Sequence, residues 1–122
     1  MAWEFNNSVP IYLQLIEGLK MKIVSGVMKP GEKIASVRDL AEEAGVNPNT
    51  MQRALSELER DSLIFSVRTS GRYVTEDNEM IQQMKKEIAS DKVNLLFESL
   101  LKMGFSRTEI SDIFLNKFRK DE

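Results

Sequence analysis

The segment from Ala44 to Arg53 constrains the fold of this chain more than any other part, because it ends one helix and starts another at once. Gly45 can adopt the left-handed backbone conformation that closes a helix. Asn47 can accept hydrogen bonds from the free amides of a new first turn. Pro48 suits the first helical position, where an N–H group is not needed. The segment therefore predicts a helix-turn-helix.

The first turns of the second helix in this motif are polar. They carry Asn49, Thr50, Gln52 and Arg53. Asparagine, glutamine and arginine are side chains that hydrogen-bond to base edges in the major groove of DNA. DNA binding is therefore the leading hypothesis for function.

Composition excludes several other classes of protein. The chain of 122 residues has no cysteine and no histidine, which excludes disulfides, zinc sites built from these residues, and catalysis by a histidine triad or a cysteine nucleophile. No paired motif points to a carboxylate or Ser–Lys mechanism, so we predict a protein that is not an enzyme and has no metal or cofactor. No apolar run approaches the roughly 20 residues that cross a bilayer, and no signal sequence is visible. These features predict a cytoplasmic protein without a membrane partner.

The net charge of −2 is unusual for a DNA-binding protein, because a basic patch usually supplies the affinity for phosphate. Residues 1–75 carry nine basic and nine acidic side chains, whereas residues 76–122 carry eight basic and ten acidic ones. The excess of acidic over basic side chains therefore lies in the C-terminal part of the chain. The net charge neither supports nor opposes DNA binding.

Three helices are predicted up to about residue 61. The first follows Pro10, and the second begins at Ser36, which forms a weak capping box with Asp39. The third begins at Pro48. The apolar positions of the three helices, spaced as on one helical face, are Tyr12, Ile16, Leu19 and Ile23; Val37, Leu40, Ala41 and Ala44; and Met51, Ala54, Leu55 and Leu58.

A β-hairpin is predicted after the third helix. Residues 63–68 and 72–75 are rich in β-forming side chains and flank Thr69-Ser70-Gly71. A short extended piece is expected around residues 33–35, after the Pro30-Gly31 turn. The expected fold is an α+β, mainly α, winged helix-turn-helix, with three helices and a β-hairpin wing, and the expected DNA-binding domain spans residues 1–76.

A short helical region is predicted for residues 77–122. Asp91 either interrupts the first helical stretch of this region or lies on its exposed side. Ser106 and Glu109 form a capping box for a last helix, which is expected to bury Ile110, Ile113, Phe114 and Phe118. So short a region cannot bury both of its faces alone, and we expect it to form a homodimer. The expected dimerisation residues are Met80, Ile81, Met84, Ile88, Phe97, Leu100 and Leu101. Trp3 and Phe5 could cover either the core or the dimer interface.

From Val9 to Val74 the chain resembles the GntR family of bacterial transcription regulators. The segments that carry this resemblance are residues 10–15 (PIYLQL), 25–34 (SGVMKPGEKI), 36–41 (SVRDLA), 46–55 (VNPNTMQRAL) and 58–59 (LE). The Asn-Pro-Asn-Thr turn and the tail of about 45 residues resemble the YtrA subfamily. In that subfamily a short helical C-terminal part serves dimerisation.

The resemblance implies a DNA-binding role for several positions. Arg38 matches a family arginine that contacts DNA, although an ion pair with Glu42 is the simpler alternative. The third helix matches at positions that face phosphates and bases, with Arg53 beside them, and the wing tip matches a segment that enters the minor groove. The expected DNA-binding residues are Arg38, Asn47, Asn49, Thr50, Gln52, Arg53, Arg68, Thr69, Ser70 and Arg72.

The chain departs from the family pattern in the wing. The usual Gly-x-Gly with extra basic residues is replaced by Thr69-Ser70-Gly71-Arg72, and the glycine that usually follows the third helix is Ser62.

These features predict a sequence-specific, DNA-binding transcription regulator, a homodimeric repressor that acts on a near-palindromic operator. The resemblance suggests a transporter operon as its target. The expected partners are double-stranded DNA and a second copy of the chain, and a small-molecule effector stays open. One alternative is a winged-helix protein-interaction module, which needs an apolar exposed third helix. The other is a small carboxylate-dependent hydrolase, which needs two acids converging in a pocket.

Overall fold

The computed structural model describes residues 3–120, without the side chain of Lys120. In chain order, the elements of this part are α1 (Ile11–Val24), α2 (Val37–Ala44), α3 (Pro48–Arg60), β1 (Ile64–Val67), β2 (Gly71–Val74), α4 (Asn78–Lys102) and α5 (Arg107–Lys120). The predicted fold class, a mainly helical winged helix-turn-helix followed by further helices, is confirmed. No helix within residues 3–120 is both long and apolar enough to cross a membrane.

The chain forms two compact units, one ending at Gln83 and one beginning at Met84. We call them the N-terminal unit and the C-terminal unit. The helix α4 begins in the first and continues through the second. The functional division into a DNA-binding region (1–76) and a dimerisation region (77–122) stays a prediction.

The core of the N-terminal unit forms where α1, α2 and β1 pack against α3. All four predicted apolar positions of α3 are at most 1% exposed. In α1, Leu15 is buried beside Ile16, Leu19 and Ile23, whereas Tyr12 is half-buried. Complete burial of a leucine or isoleucine side chain stabilises a fold by about 1.5–3 kcal/mol, so these contacts are the main support of the helix-turn-helix.

The burial predicted for α2 is only half right. Ala41 and Ala44 are buried, but Val37 and Leu40 are only half-buried. This helix has eight residues, and its contact with α3 covers only a narrow strip of it. The side chains at the edge of that strip keep part of their surface in solvent.

The hairpin pairs β1 and β2 in antiparallel register, with Ile64 opposite Val74 and Val67 opposite Gly71. Ile64 and Val74 are 1% and 0% exposed, so the base of the hairpin belongs to the core. The predicted extended piece is confirmed by a bridge between Lys33 and Tyr73. It gives β2 a hydrogen-bonded neighbour on its second edge.

The N-terminal arm lies against α1. The ring of Trp3 packs on Gly18, where a β-carbon would collide with it. The same ring stacks on Phe5 at a centroid distance of 5.7 Å and lies 5.0 Å from Lys22 Nζ. Trp3 therefore covers part of α1 within the N-terminal unit.

The C-terminal unit contains most of α4 and all of α5. Asp91 is exposed in the middle of α4 and does not interrupt it. The predicted capping box is confirmed, because Ser106 Oγ accepts from the Glu109 amide at 3.1 Å and Glu109 Oε1 accepts from the Ser106 amide at 2.9 Å.

Of the four residues that we expected α5 to bury, the structure buries one completely. Ile110 is 2% exposed and Phe114 is half-buried, but Ile113 and Phe118 are 41% and 65% exposed. Helical spacing shows only that apolar side chains share a face. In a single chain, part of that face on α5 stays open to solvent.

Candidate nucleic-acid interface

The turn between α2 and α3 has the geometry that the sequence predicts. Gly45 has φ 71° and ψ 35°, in the left-handed region. The amide of Val46 donates to the carbonyl of Ala41 at 2.9 Å, which satisfies one of the free carbonyls at the end of α2. Asn47 Oδ1 accepts from the amide of Asn49 at 2.7 Å and caps α3. Two short helices are thereby joined by a rigid turn.

The amino-terminal end of α3 presents polar groups to solvent. Asn47, Asn49, Gln52 and Arg53 are exposed, and Thr50 is half-buried. No acidic residue lies in the first turn, so the partial positive charge of the helix end is uncompensated. Gln52 Nε2 donates to Ser56 Oγ at 3.2 Å, which directs Gln52 along the exposed surface of α3. This surface suits an anionic, hydrogen-bonding partner.

Arg53 is held by a residue that we predicted only as part of the apolar stripe of α1. Its Cζ lies 3.5 Å from the ring centroid of Tyr12. Beside this contact is a cleft of about 390 Å³ lined by Ile11, Tyr12, Asn49, Thr50 and Arg53. The two residues are 41 positions apart in the sequence, so no local pattern links them.

Arg38 is exposed near the start of α2. In the part of the chain that the structure describes, its guanidinium makes no hydrogen bond or ion pair. The alternative pairing with Glu42 therefore does not form. The guanidinium of Arg38 is therefore available at the surface for a partner outside the chain.

The tip of the wing is an exposed turn that contains the predicted residues Arg68, Thr69 and Ser70. Thr69 has φ 69°, a left-handed conformation that glycine usually provides. Its hydroxyl donates to the carbonyl of Arg68 at 2.5 Å, and the hydroxyl of Ser70 bonds to that of Tyr73. Side-chain hydrogen bonds therefore support a turn that lacks the family's first glycine.

Arg72 has a partner within the chain. Its Nε pairs with Glu59 Oε1, and Ser66 Oγ donates to the same oxygen at 2.7 Å. The hydrogen bond from Ser66, followed by the one from Arg72, lowers the pKa of the Glu59 carboxyl. Glu59 thus ties both strands of the wing to α3, a role that sequence reasoning missed. Contact between Arg72 and DNA stays a prediction.

The predicted dimerisation residues all lie on α4. Ile81 is 4% exposed in the single chain and Leu101 is 37% exposed. The other five (Met80, Met84, Ile88, Phe97 and Leu100) are half-buried. The C-terminal unit also exposes apolar side chains outside this set, of which Leu95 and Met103 are 68% and 69% exposed.

Within residues 3–120 no group of three or more acidic side chains is arranged to hold a metal ion.

Comparison with known proteins identifies the family. The model of the family "Bacterial regulatory proteins, gntR family" matches residues 11–74. The HTH-type transcriptional repressor YtrA of Bacillus subtilis is 38% identical over 77% of this chain and 68% of its own length. A GntR family transcriptional regulator from Listeria monocytogenes has a similar structure, with a TM-score of 0.85, 37% identity, and coverage of 92% of this chain and 98% of that one.

A second similar structure is a complex with an operator. It is the DNA-binding domain of AraR in complex with operator ORX1, with a TM-score of 0.56 and 27% identity over 62% of this chain and 99% of that one. These findings confirm the resemblance to the GntR family and to YtrA that the residues predict. The chain belongs to the GntR family of bacterial regulatory proteins.

Proposed function

We propose that this protein is a sequence-specific, DNA-binding transcription regulator of the bacterial cytoplasm, and that it acts as a homodimeric repressor on a near-palindromic operator. One observation carries the proposal: the capped amino-terminal end of α3 is exposed and polar, with no acid in its first turn. The similarity to the repressor YtrA and to an operator-bound AraR domain supports it.

In this proposal α3 lies in the major groove. Asn49, Thr50 and Gln52 contact base edges, and Asn47 contacts phosphate beside the helix end. Arg38 and Arg53 bind phosphates, since their charges have no carboxylate partner among residues 3–120. Arg68, Thr69 and Ser70 are proposed for the minor groove, with Arg72 bracing the wing behind them.

The exposed face of α3 disfavours the alternative of a protein-interaction module. Such a module needs apolar side chains where this helix has Asn49, Gln52 and Arg53. The chemistry of α3 thus favours a nucleic-acid partner and a binding function rather than a catalytic one.

We propose that the C-terminal unit pairs two copies. Large apolar side chains are exposed on both of its helices, including Leu95 on α4 and Phe118 on α5. Such exposure is costly unless a partner covers it. Two copies related by a twofold axis would place their α3 helices on half-sites about 34 Å apart along the DNA.

The proposal is tested by selecting duplexes from a randomised pool with the purified chain and sequencing them. We expect one enriched, near-palindromic site, bound at least about 10³-fold more tightly than unrelated DNA. Alanine at Asn49 or Gln52 is expected to relax base preference, whereas alanine at Arg38 weakens binding to every sequence alike. Absence of enrichment, or full operator affinity in the triple alanine variant of Arg38, Asn49 and Gln52, would overturn the proposal.

A further inference from the structure

The contact between Arg53 and Tyr12 joins α3, which lies at the centre of the proposed interface, to α1, for which the sequence predicts no DNA contact. Arg53 is the sixth residue of α3, and Tyr12 is the second residue of α1. The distance of 3.5 Å from Cζ to the ring centroid lies well inside the range in which a cation is attracted to an aromatic face. The planar guanidinium can stack on the ring in a way that a lysine ammonium cannot.

The charge of Arg53 is not neutralised by this contact. Among residues 3–120 no carboxylate forms an ion pair with it, whereas Arg60 and Arg72 pair with Glu57 and Glu59. The first turns of α1 and α3 also contain no acidic residue. Arg53 therefore presents a fixed, positive group beside an open cleft.

The contact also sets the direction of Arg53. Gln52 bonds to Ser56 one turn further along the same helix, while Arg53 turns to the neighbouring helix α1. The two adjacent long side chains thus diverge. Gln52 follows the exposed surface of α3, whereas Arg53 lies against α1 beside the cleft that Asn49 and Thr50 also line.

We propose that Tyr12 is a positioning residue for DNA binding, whose ring holds the Arg53 guanidinium at a phosphate of the DNA backbone. Arg53 then supplies affinity common to all sequences rather than discrimination between bases. Because the side chain is ordered before DNA arrives, less conformational entropy is lost on binding. This inference rests on the proposed DNA-binding function.

The test is a double-mutant cycle on affinity for DNA. The variants are Tyr12→Leu, which removes the aromatic face, Arg53→Ala, and their combination, with Tyr12→Phe as a control that keeps the ring. Fluorescence anisotropy measures the Kd for the selected site and for a duplex of mixed sequence over a series of salt concentrations. Thermal denaturation confirms that each variant is folded.

We expect Arg53→Ala to weaken binding to both duplexes by the same factor and to reduce the salt slope by about 0.9. Tyr12→Leu should weaken both by about two- to fivefold, but have no further effect when Arg53 is already alanine. Tyr12→Phe should bind as the wild type does. Arg53→Lys, which keeps the charge and loses the planar stack, should bind more weakly than the wild type.

The outcomes separate this inference from the function on which it rests. A wild-type chain that binds neither duplex would contradict the proposed function itself. If the wild type binds, two results would contradict the positioning role of Tyr12. One is that Tyr12→Leu leaves the Kd for DNA unchanged, and the other is that it weakens binding by the same factor whether residue 53 is arginine or alanine. Should Tyr12→Leu fail to fold, Arg53→Lys decides the question, because wild-type affinity in that variant would show that the stack is not needed.

Discussion

At the level of single residues, two described residues other than glycine have a left-handed backbone, Thr69 in the wing and Ser62 just after α3. Ser62 has φ 64°, a conformation that costs a residue with a β-carbon about 1–2 kcal/mol. The family pattern has glycine here, and the structure explains why, since the chain must reverse between α3 and β1. Leu63 and Ile64, both buried, anchor the segment that follows Ser62 in the core.

We predict that Ser62→Gly stabilises the protein by about 0.5–1 kcal/mol, because the relief of strain exceeds the entropy that glycine loses on folding. Ser25→Gly is the matched control. Ser25 has φ −82° at the end of α1, where glycine should instead destabilise by about 0.5–1 kcal/mol. Urea denaturation measures both, and equal destabilisation by the two substitutions would contradict the argument.

The carboxyl of Glu59 gives the fold a dependence on pH. Its pKa is lowered below the ordinary value of 4.5, first by the hydrogen bond from Ser66 and then by that from Arg72. A lowered pKa means that the ionised form is favoured by folding. This stabilisation is complete above pH 4.5 and is lost as the pH falls through the lower, folded value.

We therefore predict that the free energy of unfolding decreases as the pH falls below about 4.5, and that Glu59→Gln flattens this dependence. Ser66→Ala should raise the pKa of Glu59, measured by NMR titration of its carboxyl carbon, because the largest cause of the shift is removed. An unchanged titration midpoint in Ser66→Ala would refute the assignment of Ser66 as the main donor.

At the scale of elements, Asn47 serves the fold of α3 and the proposed DNA contact at once. We predict that Asn47→Ala costs about 1 kcal/mol of stability, because the amide of Asn49 loses its acceptor. Asn47→Asp should keep the cap and the stability, but weaken DNA binding by adding a negative charge beside phosphate. Denaturation and anisotropy measure the two effects. If Asn47→Asp lost as much stability as affinity, the weaker DNA binding would follow from the lost cap, and a separate DNA contact by Asn47 would be contradicted.

The boundaries of these elements could be predicted well from the sequence, because caps and turns act locally. Ser36 accepts from the amide of Asp39 at 3.1 Å, and Gly45 is left-handed, as their positions in the sequence imply. The extent of burial could not be predicted as well. Val37 and Leu40 have apolar side chains at the right spacing, yet their exposure depends on how much of α2 the neighbouring helix covers.

At the scale of the whole molecule, the apolar surface of the C-terminal unit is the feature that a single chain leaves unexplained. Leu96 is 47% exposed on α4, and Phe118 is 65% exposed on α5. A second copy that covers these side chains would recover about 25 cal/mol for each Å² of apolar surface removed from water. Pairing of two copies through this unit is therefore the expected state in solution.

We predict that Leu96→Glu together with Leu101→Glu converts a dimer into a monomer, because charges would be buried without partners at the interface. Sedimentation equilibrium measures the mass, and affinity for the palindromic duplex should fall with it. Val27→Glu, at a side chain that is 56% exposed in the N-terminal unit, is the control and should stay dimeric. A monomeric wild type, or a double variant that remains dimeric, would refute the predicted interface.

Local sequence is sufficient to specify the helix-turn-helix and the polar character of its second helix. Gly45, Asn47 and Pro48 act through backbone conformation and hydrogen bonds within a few residues, so their effect can be read without knowledge of the rest of the chain. The partners of Arg53 and Arg72, in contrast, depend on tertiary packing. Arg72 meets Glu59 across 13 positions of sequence, and Arg53 meets Tyr12 across 41. These partners come within reach only because α1 and β1 pack against α3 and β2 pairs with β1.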